Sequence, residues 1–177
     1  MTSMTAAHAP LRVTGILRAA NLIDVSFASD EARDRGTAVH AATQFLDDGD
    51  LDLSSVHEAI APALARYQEF KAHVQPEILA VEEEVEHSTL RYRGRLDRRI
   101  AINGREGILD VKGVFRAAWQ GVQLAGYAAC FPRPMARWTL HLPSDGTDYR
   151  LIEHTDRDDW RVFQAALSIA SWKARHE

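Results

Sequence analysis

The stretch GRLDRRIAINGREGILDVK, residues 94–112, decides the fold of this chain. At its centre Asn103-Gly104 lies between two alternating runs and predicts a two-residue type I′ hairpin turn, because both central residues of that turn need a positive φ. Residues placed symmetrically about the turn then face each other across the ladder. Asp97 therefore lies opposite Asp110, with Cβ atoms about 4.5–5.5 Å apart if no bulge intervenes, and Lys112 shares the face of Asp110.

The two faces of this hairpin differ in character. Two like charges directly opposite each other destabilise a sheet, which suggests that Asp97 and Asp110 are neutralised by a divalent cation that prefers oxygen ligands. The alternative is a solvated face on which Asp97 pairs with Arg95 or Arg99 and Asp110 pairs with Lys112. The opposite face is predicted to be core, and it carries Leu96, Ile100, Ile102, Leu109 and Val111.

Composition places the chain among ordinary globular proteins. Its 177 residues are 46% hydrophobic and 26% charged, which predicts one domain over residues 1–177 with a substantial core. No apolar run approaches the ~18 residues of a membrane span, and the first residues lack the basic start and apolar region of a signal peptide. One cysteine, Cys130, excludes an intrachain disulfide and an all-cysteine metal site. A cytoplasmic location is expected.

The distribution of charge is more informative than its sum. A net charge of −4 argues against a protein that coats nucleic acid nonspecifically. A basic strip around paired carboxylates suits a polyanion, since arginine and lysine neutralise phosphates, but an arginine-rich exposed strand is also an ordinary surface feature. The strip consists of Arg91, Arg93, Arg95, Arg98 and Arg99.

Periodicity and capping signals predict helices around a strand region. Ser29 is the expected cap of the first long helix, and Ser55 with Glu58 forms a capping box for the next. Pro62 should kink that second helix or split it in two. Thr155 is the expected cap of the last helix. The predicted helices cover residues 11–24, 30–46, 55–74, 116–131 and 155 onward, and the predicted strands cover 77–87, 89–102, 105–115, 136–142 and 148–154.

Two further features come from helices. Gln123 and Tyr127 are four residues apart, so they share one face of the helix that follows the Asp110 strand. They could face a ligand there, or the tyrosine ring could simply pack beside the glutamine. His40 lies within a helix, where a lone histidine is usually structural or at the surface.

Taken together, four motifs in this order resemble the PD-(D/E)XK nuclease superfamily and its RecB-like exonuclease branch. The resemblance covers about residues 30–130. It implies a restriction-endonuclease-like α/β fold with a central mixed β-sheet flanked by helices. The motifs are GTAVH at 36–40, GRLD at 94–97, ILDVK at 108–112 and QLAGY at 123–127.

The resemblance also implies a set of site residues. Lys112 would serve the attacking water, and Gln123 and Tyr127 would hold the nucleic-acid strand. Hard oxygen ligands favour Mg²⁺ or Mn²⁺. The implied metal ligands are His40, Asp97, Asp110 and the carbonyl of Val111, and the implied catalytic residues are Asp97, Asp110, Lys112, Gln123 and Tyr127.

The function expected from this resemblance is a metal-dependent DNA nuclease that hydrolyses phosphodiester bonds. An exonuclease acting on single strands or DNA ends, in replication, repair or recombination, is favoured. A catalytically inactive DNA-binding module on the same fold and an RNA nuclease remain open. DNA is the expected partner, with a helicase or a single-strand-binding protein as a further candidate.

Some features of the family leave questions in this chain. Relatives that hold an iron–sulfur cluster use four cysteines, which Cys130 alone cannot supply, so no such cluster is expected. A glutamate from the preceding strand sometimes joins the site. The sequence does not choose among the three candidates Glu82, Glu84 and Glu86.

Overall fold

The computed structural model describes residues 10–23, 29–113, 116–145 and 147–176. None of the helices in these residues is long and apolar enough to cross a membrane. The helices are α1 (Val13–Ala19), α2 (Asp30–Asp48), α3 (Ala61–Val74), α4 (Trp119–Ala128) and α5 (Asp158–His176), with a 3₁₀ turn at Leu53–Ser55. The strands are β1 (Glu77–Glu86), β2 (Arg93–Ile102), β3 (Arg105–Lys112), β4 (Ala136–His141) and β5 (Arg150–Glu153).

The five strands form one mixed sheet in the order β1-β2-β3-β4-β5. Neighbouring strands are antiparallel except β3 and β4, which are parallel. Parallel neighbours need a crossover connection, and α4 supplies it. The predicted α/β fold, a central mixed sheet flanked by helices, is confirmed.

The core lies on both faces of the sheet. On one face α1, α4 and α5 pack around Leu96, Leu124 and Phe163. On the other face α3 packs around Phe70 and Ile100, with α2 alongside it. Side chains on α2 and α4 can therefore approach the central strands from opposite sides.

The hairpin turn at the centre of the sheet is confirmed. Asn103 and Gly104 have φ values of 51° and 76°, and the antiparallel pairing has the predicted register from Ile102–Arg105 to Arg98–Leu109. The ladder stops there, so the expected direct pairing of Asp97 with Asp110 is wrong. Asp97 instead contacts β3 through its side chain, which accepts a hydrogen bond from the Val111 amide.

The reason is a change of face within β2. Leu96 packs with α4 and α5, whereas Ile100 packs with α3, although residues four apart in a regular strand share a face. The prediction that both belong to one face is therefore wrong for Leu96. Between them, Asp97 lies beside Glu82 of β1, which adopts a left-handed φ of 52°. Strand geometry is thus broken where the candidate site begins.

Helix starts are partly as predicted. The Ser29 hydroxyl accepts a hydrogen bond from the Ala32 amide, confirming the cap of α2. The capping box at Ser55 is wrong, because that residue ends the 3₁₀ turn and α3 begins at Ala61. Pro62 therefore lies in the first turn of α3, where a backbone N–H has no partner within the helix. Its missing N–H breaks no helical hydrogen bond there, and it causes no kink.

The other boundaries differ by a few residues. The last helix begins at Asp158, whose amide bonds to the Asp156 carboxylate rather than to the predicted cap Thr155. The first predicted helix shortens to α1, and the one after β3 shortens to α4. Residues 114–115 of the predicted third strand and the N-terminal residues 1–9 lie outside the described residues.

Candidate active site

Four residues from α2, β2 and β3 meet where the β2–β3 ladder ends. His40 Nδ1 lies 3.3 Å from Asp97 Oδ2, and Lys112 Nζ lies 2.6 Å from Asp110 Oδ2. The Val111 amide donates a hydrogen bond of 2.8 Å to Asp97 Oδ2, which is the contact that replaces the expected ladder pair. The predicted residues His40, Asp97, Asp110 and Lys112 therefore converge on one place.

This cluster is short of positive charge. Burial, followed by repulsion from Asp110, raises the pKa of Asp97 to about 6, although His40 and Lys112 oppose the shift. Burial alone would lower the pKa of Lys112, but the two aspartates outweigh it and hold that pKa above its usual value. The lysine stays charged while one aspartate is easily protonated. The site therefore favours an added positive charge.

The predicted pair on α4 lies next to these groups and is buried. Gln123 and Tyr127 are each 5% exposed, with Gln123 Nε2 3.4 Å from the Tyr127 hydroxyl and 3.5 Å from the Thr14 hydroxyl. Burial and the charge of Asp110 raise the pKa of Tyr127, which keeps its hydroxyl protonated. The Gln123 Oε1 atom is buried without a hydrogen-bond partner among the described residues, so an acceptor remains available there.

The GRLD motif of β2 begins with Gly94, and the position of Tyr127 explains why this residue has no side chain. A Cβ atom at Gly94 would lie 2.4 Å from Cε1 of Tyr127, far inside van der Waals contact. The tyrosine ring therefore packs directly on the β2 backbone. This contact joins the motif of β2 to the motif of α4.

The donor atoms suit a hard divalent cation in type, although their present contacts are with one another. Two carboxylates and a main-chain carbonyl are the ligands that Mg²⁺ and Mn²⁺ prefer, and imidazole also suits Mn²⁺. In the described ranges, no group of three or more histidine, cysteine, aspartate or glutamate side chains is arranged to hold a metal ion. As placed, His40 contacts Asp97 and Lys112 contacts Asp110. The shortage of positive charge is what makes the site fit a cation.

Two arginines of β2, Arg95 and Arg99, pair with glutamates of the neighbouring strands. Arg95 pairs with Glu82 at 2.6 Å and Arg99 pairs with Glu83 at 2.7 Å and Glu106 at 2.9 Å. Both arginines pair with glutamates and not with Asp97, so the predicted pairing of Asp97 with Arg95 or Arg99 is wrong. Much of the charge of the strip is neutralised within the sheet.

The three candidate glutamates of β1 differ in position. Glu84 pairs with Arg12 and Glu86 with Arg91, both toward one end of the strand. Glu82 lies in line with Asp97 in the β1–β2 register and has Oε1 3.8 Å from Arg98 Nη1. Of the three, Glu82 is the one that the structure places beside the site.

A second charged cluster beside the site was not predicted. The buried side chain of Asp47 accepts hydrogen bonds from Arg98 Nε and Lys71 Nζ, each at 2.6 Å, and from the Tyr67 hydroxyl. The sequence does contain a signal for part of it, because His40, Thr43 and Asp47 follow helical spacing on one face of α2. Arg98 had no such signal, since it was grouped with the exposed arginines.

Trp119 and His141 also lie next to Lys112 without having been predicted. The Lys112 ammonium lies 5.4 Å from the centre of the Trp119 ring, within range of a cation–π interaction. His141 pairs with Lys112 across β3 and β4, and its Nδ1 lies 3.0 Å from the Gly113 carbonyl. Both residues enclose the lysine.

Comparisons with known proteins agree with the fold. No protein-family model matches the chain, and no curated protein sequence matches it. A solved structure from Eubacterium rectale, named a "putative exonuclease", is similar with a TM-score of 0.58 and 12% identity, over 99% of this chain and 84% of that one. The crystal structure of SSO0001 matches with a TM-score of 0.45 and 15% identity over 99% and 80% of the two chains, a likeness too low to carry an argument. At 12% identity the likeness to the Eubacterium rectale structure supports a shared fold.

Proposed function

We propose that this protein is a Mg²⁺- or Mn²⁺-dependent DNA nuclease of the RecB-like branch of the PD-(D/E)XK superfamily. We further propose that it acts as an exonuclease on single strands or DNA ends. The observation that carries the proposal is the convergence of His40, Asp97, Asp110 and Lys112 at the end of one hairpin. The Eubacterium rectale neighbour, with the name that it bears, is consistent with it.

Each residue has a role in the proposed reaction. His40, Asp97, Asp110 and the carbonyl of Val111 would hold the cation. A cation bound there would lower the pKa of water and stabilise negative charge on the phosphate. Lys112 remains protonated between the two aspartates, so its ammonium can orient the attacking water or stabilise charge that develops on the phosphate.

The residues of α4 would hold the nucleic-acid strand. Tyr127 keeps its proton and can donate a hydrogen bond to a phosphate oxygen, while Gln123 offers an amide beside it. Both are buried in the absence of substrate, so a strand that reaches them must displace the Gln123–Tyr127 contact. A measurement of substrate affinity, rather than of folding stability, therefore tests their role.

The deciding experiment uses end-labelled single-stranded and double-stranded DNA with Mg²⁺, with Mn²⁺ and with EDTA. Cleavage with either ion and none with EDTA is expected, with mononucleotides or short products released from ends. Asp110→Asn should abolish cleavage because it removes a charged ligand. Glu106→Gln is the matched control on the same strand, where the carboxylate pairs with Arg99 and Arg133 instead.

Three outcomes would change the proposal. Metal-dependent binding of DNA without cleavage would favour the inactive binding module, and cleavage restricted to RNA would favour the RNA nuclease. Equal activity of wild type and Asp110→Asn would show that the assigned site is wrong.

A further inference from the structure

A single buried guanidinium lies between the helix that carries His40 and the strand that carries Asp97. Arg98 follows Asp97 on β2 and is 1% exposed. Its Nε donates to the Asp47 carboxylate at 2.6 Å. Because Asp47 is on α2, this ion pair fastens the helix to the strand beside the candidate site.

The two remaining nitrogens of Arg98 reach β2 on one side and α2 on the other. Nη1 donates a hydrogen bond of 2.7 Å to the carbonyl of Asp97 itself. Nη2 donates to the Thr43 hydroxyl at 3.3 Å, and that hydroxyl donates to the His40 carbonyl at 3.0 Å. The guanidinium thus links the main chain of Asp97 to the main chain of His40.

The geometry of these contacts requires arginine. A guanidinium is planar and presents its donors in a fixed fork, whereas a lysine ammonium is one point charge on a flexible chain. Lysine at position 98 could pair with Asp47 but could not also reach both the Asp97 carbonyl and the Thr43 hydroxyl. The Asp47 oxygen that accepts from Arg98, Oδ2, also accepts from the Tyr67 hydroxyl of α3, whereas Lys71 contacts only the other oxygen, Oδ1.

We propose that Arg98 is a positioning residue that sets the distance between His40 and Asp97 and so makes the cation site competent. The inference rests on the proposed function, because it assumes that His40 and Asp97 bind the same cation. Thr43 and Asp47 are the other two residues of this hydrogen-bond network. Asp47 orients the guanidinium, and Thr43 carries the connection to His40.

The test compares Arg98→Lys with wild type by two measurements. Mn²⁺ affinity of the metal-free protein is measured by titration calorimetry, and exchange of the Val111 amide is measured by NMR in EDTA. That amide is bonded to the Asp97 carboxylate, so its exchange reports the position of Asp97 without any metal. We expect about a tenfold loss of affinity, which corresponds to ~1.4 kcal/mol, and faster exchange of Val111 relative to Ile100 on the same sheet.

Two further variants make the result specific. Lys71→Met is the matched control, because it removes a different cation from Asp47 and leaves the fork of Arg98 in place. Its Mn²⁺ affinity should stay within about twofold of wild type. Thr43→Val cuts the connection to His40 while it keeps a side chain of similar shape, so it should lower Mn²⁺ affinity in the same direction as Arg98→Lys.

The outcomes separate the two proposals. If Arg98→Lys folds and matches wild type in both measurements, the positioning role is refuted. If Arg98→Lys does not fold, Thr43→Val decides, and unchanged Mn²⁺ affinity there refutes the role. If wild type binds no Mn²⁺, the proposed cation site fails, and the relative exchange of Val111 alone decides whether Arg98 positions Asp97.

Discussion

Two charged clusters are centred on consecutive residues of β2, Asp97 and Arg98. They differ in which charge is in excess. At Arg98, one buried carboxylate, Asp47, receives hydrogen bonds from an arginine, a lysine and a tyrosine. At Asp97, two carboxylates share the ammonium of Lys112 and the imidazole of His40.

The difference separates a cluster that supports the fold from one that is a candidate site for a ligand. A buried carboxylate with several donors is satisfied, and removing it leaves a buried cation alone. A buried pair of carboxylates with too little positive charge costs stability, which is typical of a functional site. The same strand thus carries a structural cluster on one side and a candidate active site on the other.

The largest expected effect would break the structural cluster. Asp47→Ala leaves Arg98 buried without its main counter-ion and should lower the free energy of unfolding by about 3–5 kcal/mol. Urea denaturation followed by circular dichroism measures it. Asp48→Ala, an exposed neighbour on α2, should change stability by less than ~0.5 kcal/mol. A loss below ~1 kcal/mol for Asp47→Ala would show that the cluster is not what stabilises this region.

The next prediction concerns the lysine of the candidate site. Lys112→Ala should lower kcat for DNA cleavage by about 100-fold, because its proposed contact is made in the transition state. DNA affinity, measured by fluorescence anisotropy in EDTA, should change much less. Lys71→Met, which removes the lysine of the structural cluster, should leave kcat near wild type. Equal losses in kcat and affinity for Lys112→Ala would make it a phosphate-binding residue.

A pH titration would sharpen the contrast by measuring the cost of the carboxylate pair. The pKa of Asp97 is raised to about 6 in the folded protein, so its ionisation destabilises the fold and stability falls as pH rises from about 4 to 6. Asp97→Asn cannot ionise and should be more stable than wild type by about 1–3 kcal/mol at pH 7 in EDTA. This advantage should shrink toward pH 4.

Thermal unfolding of both proteins across that pH range checks the expectation. Asp47→Asn is the comparison from the structural cluster, and it should be less stable than wild type because it weakens the ion pairs with Arg98 and Lys71. If Asp97→Asn is less stable than wild type at every pH, ionised Asp97 does not destabilise the fold. The proposed difference between the two clusters would then be wrong.

The smallest expected effect concerns the contact that brings α4 to the site. Gly94→Ala places a methyl group against the Tyr127 ring, which should cost about 1–2 kcal/mol of stability and displace the tyrosine. Gly15→Ala is the control, because a Cβ there meets nothing within 4 Å and alanine stabilises a helix by about 0.5–1 kcal/mol. Differential scanning calorimetry of both variants should show melting temperatures that shift in opposite directions.

Sequence patterns predicted the elements of this site better than their arrangement. The hairpin turn, the cap at Ser29 and the order of strands and helices depend on neighbouring residues and were predicted correctly. The capping box at Ser55 and the cap at Thr155 were wrong, because a nearby aspartate took the capping role in each case: Asp52 caps the 3₁₀ turn, and Asp156 bonds to the first residue of α5. Local signals compete, and periodicity alone does not decide between them.

Local sequence therefore determined the turn at Asn103-Gly104, the spacing of Asp97, Asp110 and Lys112, and the helical face of His40. Tertiary structure decided how they meet. The face change at Asp97 occurs beside the left-handed Glu82 of another strand, and the buried Arg98 pairs with Asp47, 51 positions away in the chain. Such contacts depend on how helices pack against a sheet, and the periodicity of a single segment carries no information about its partner.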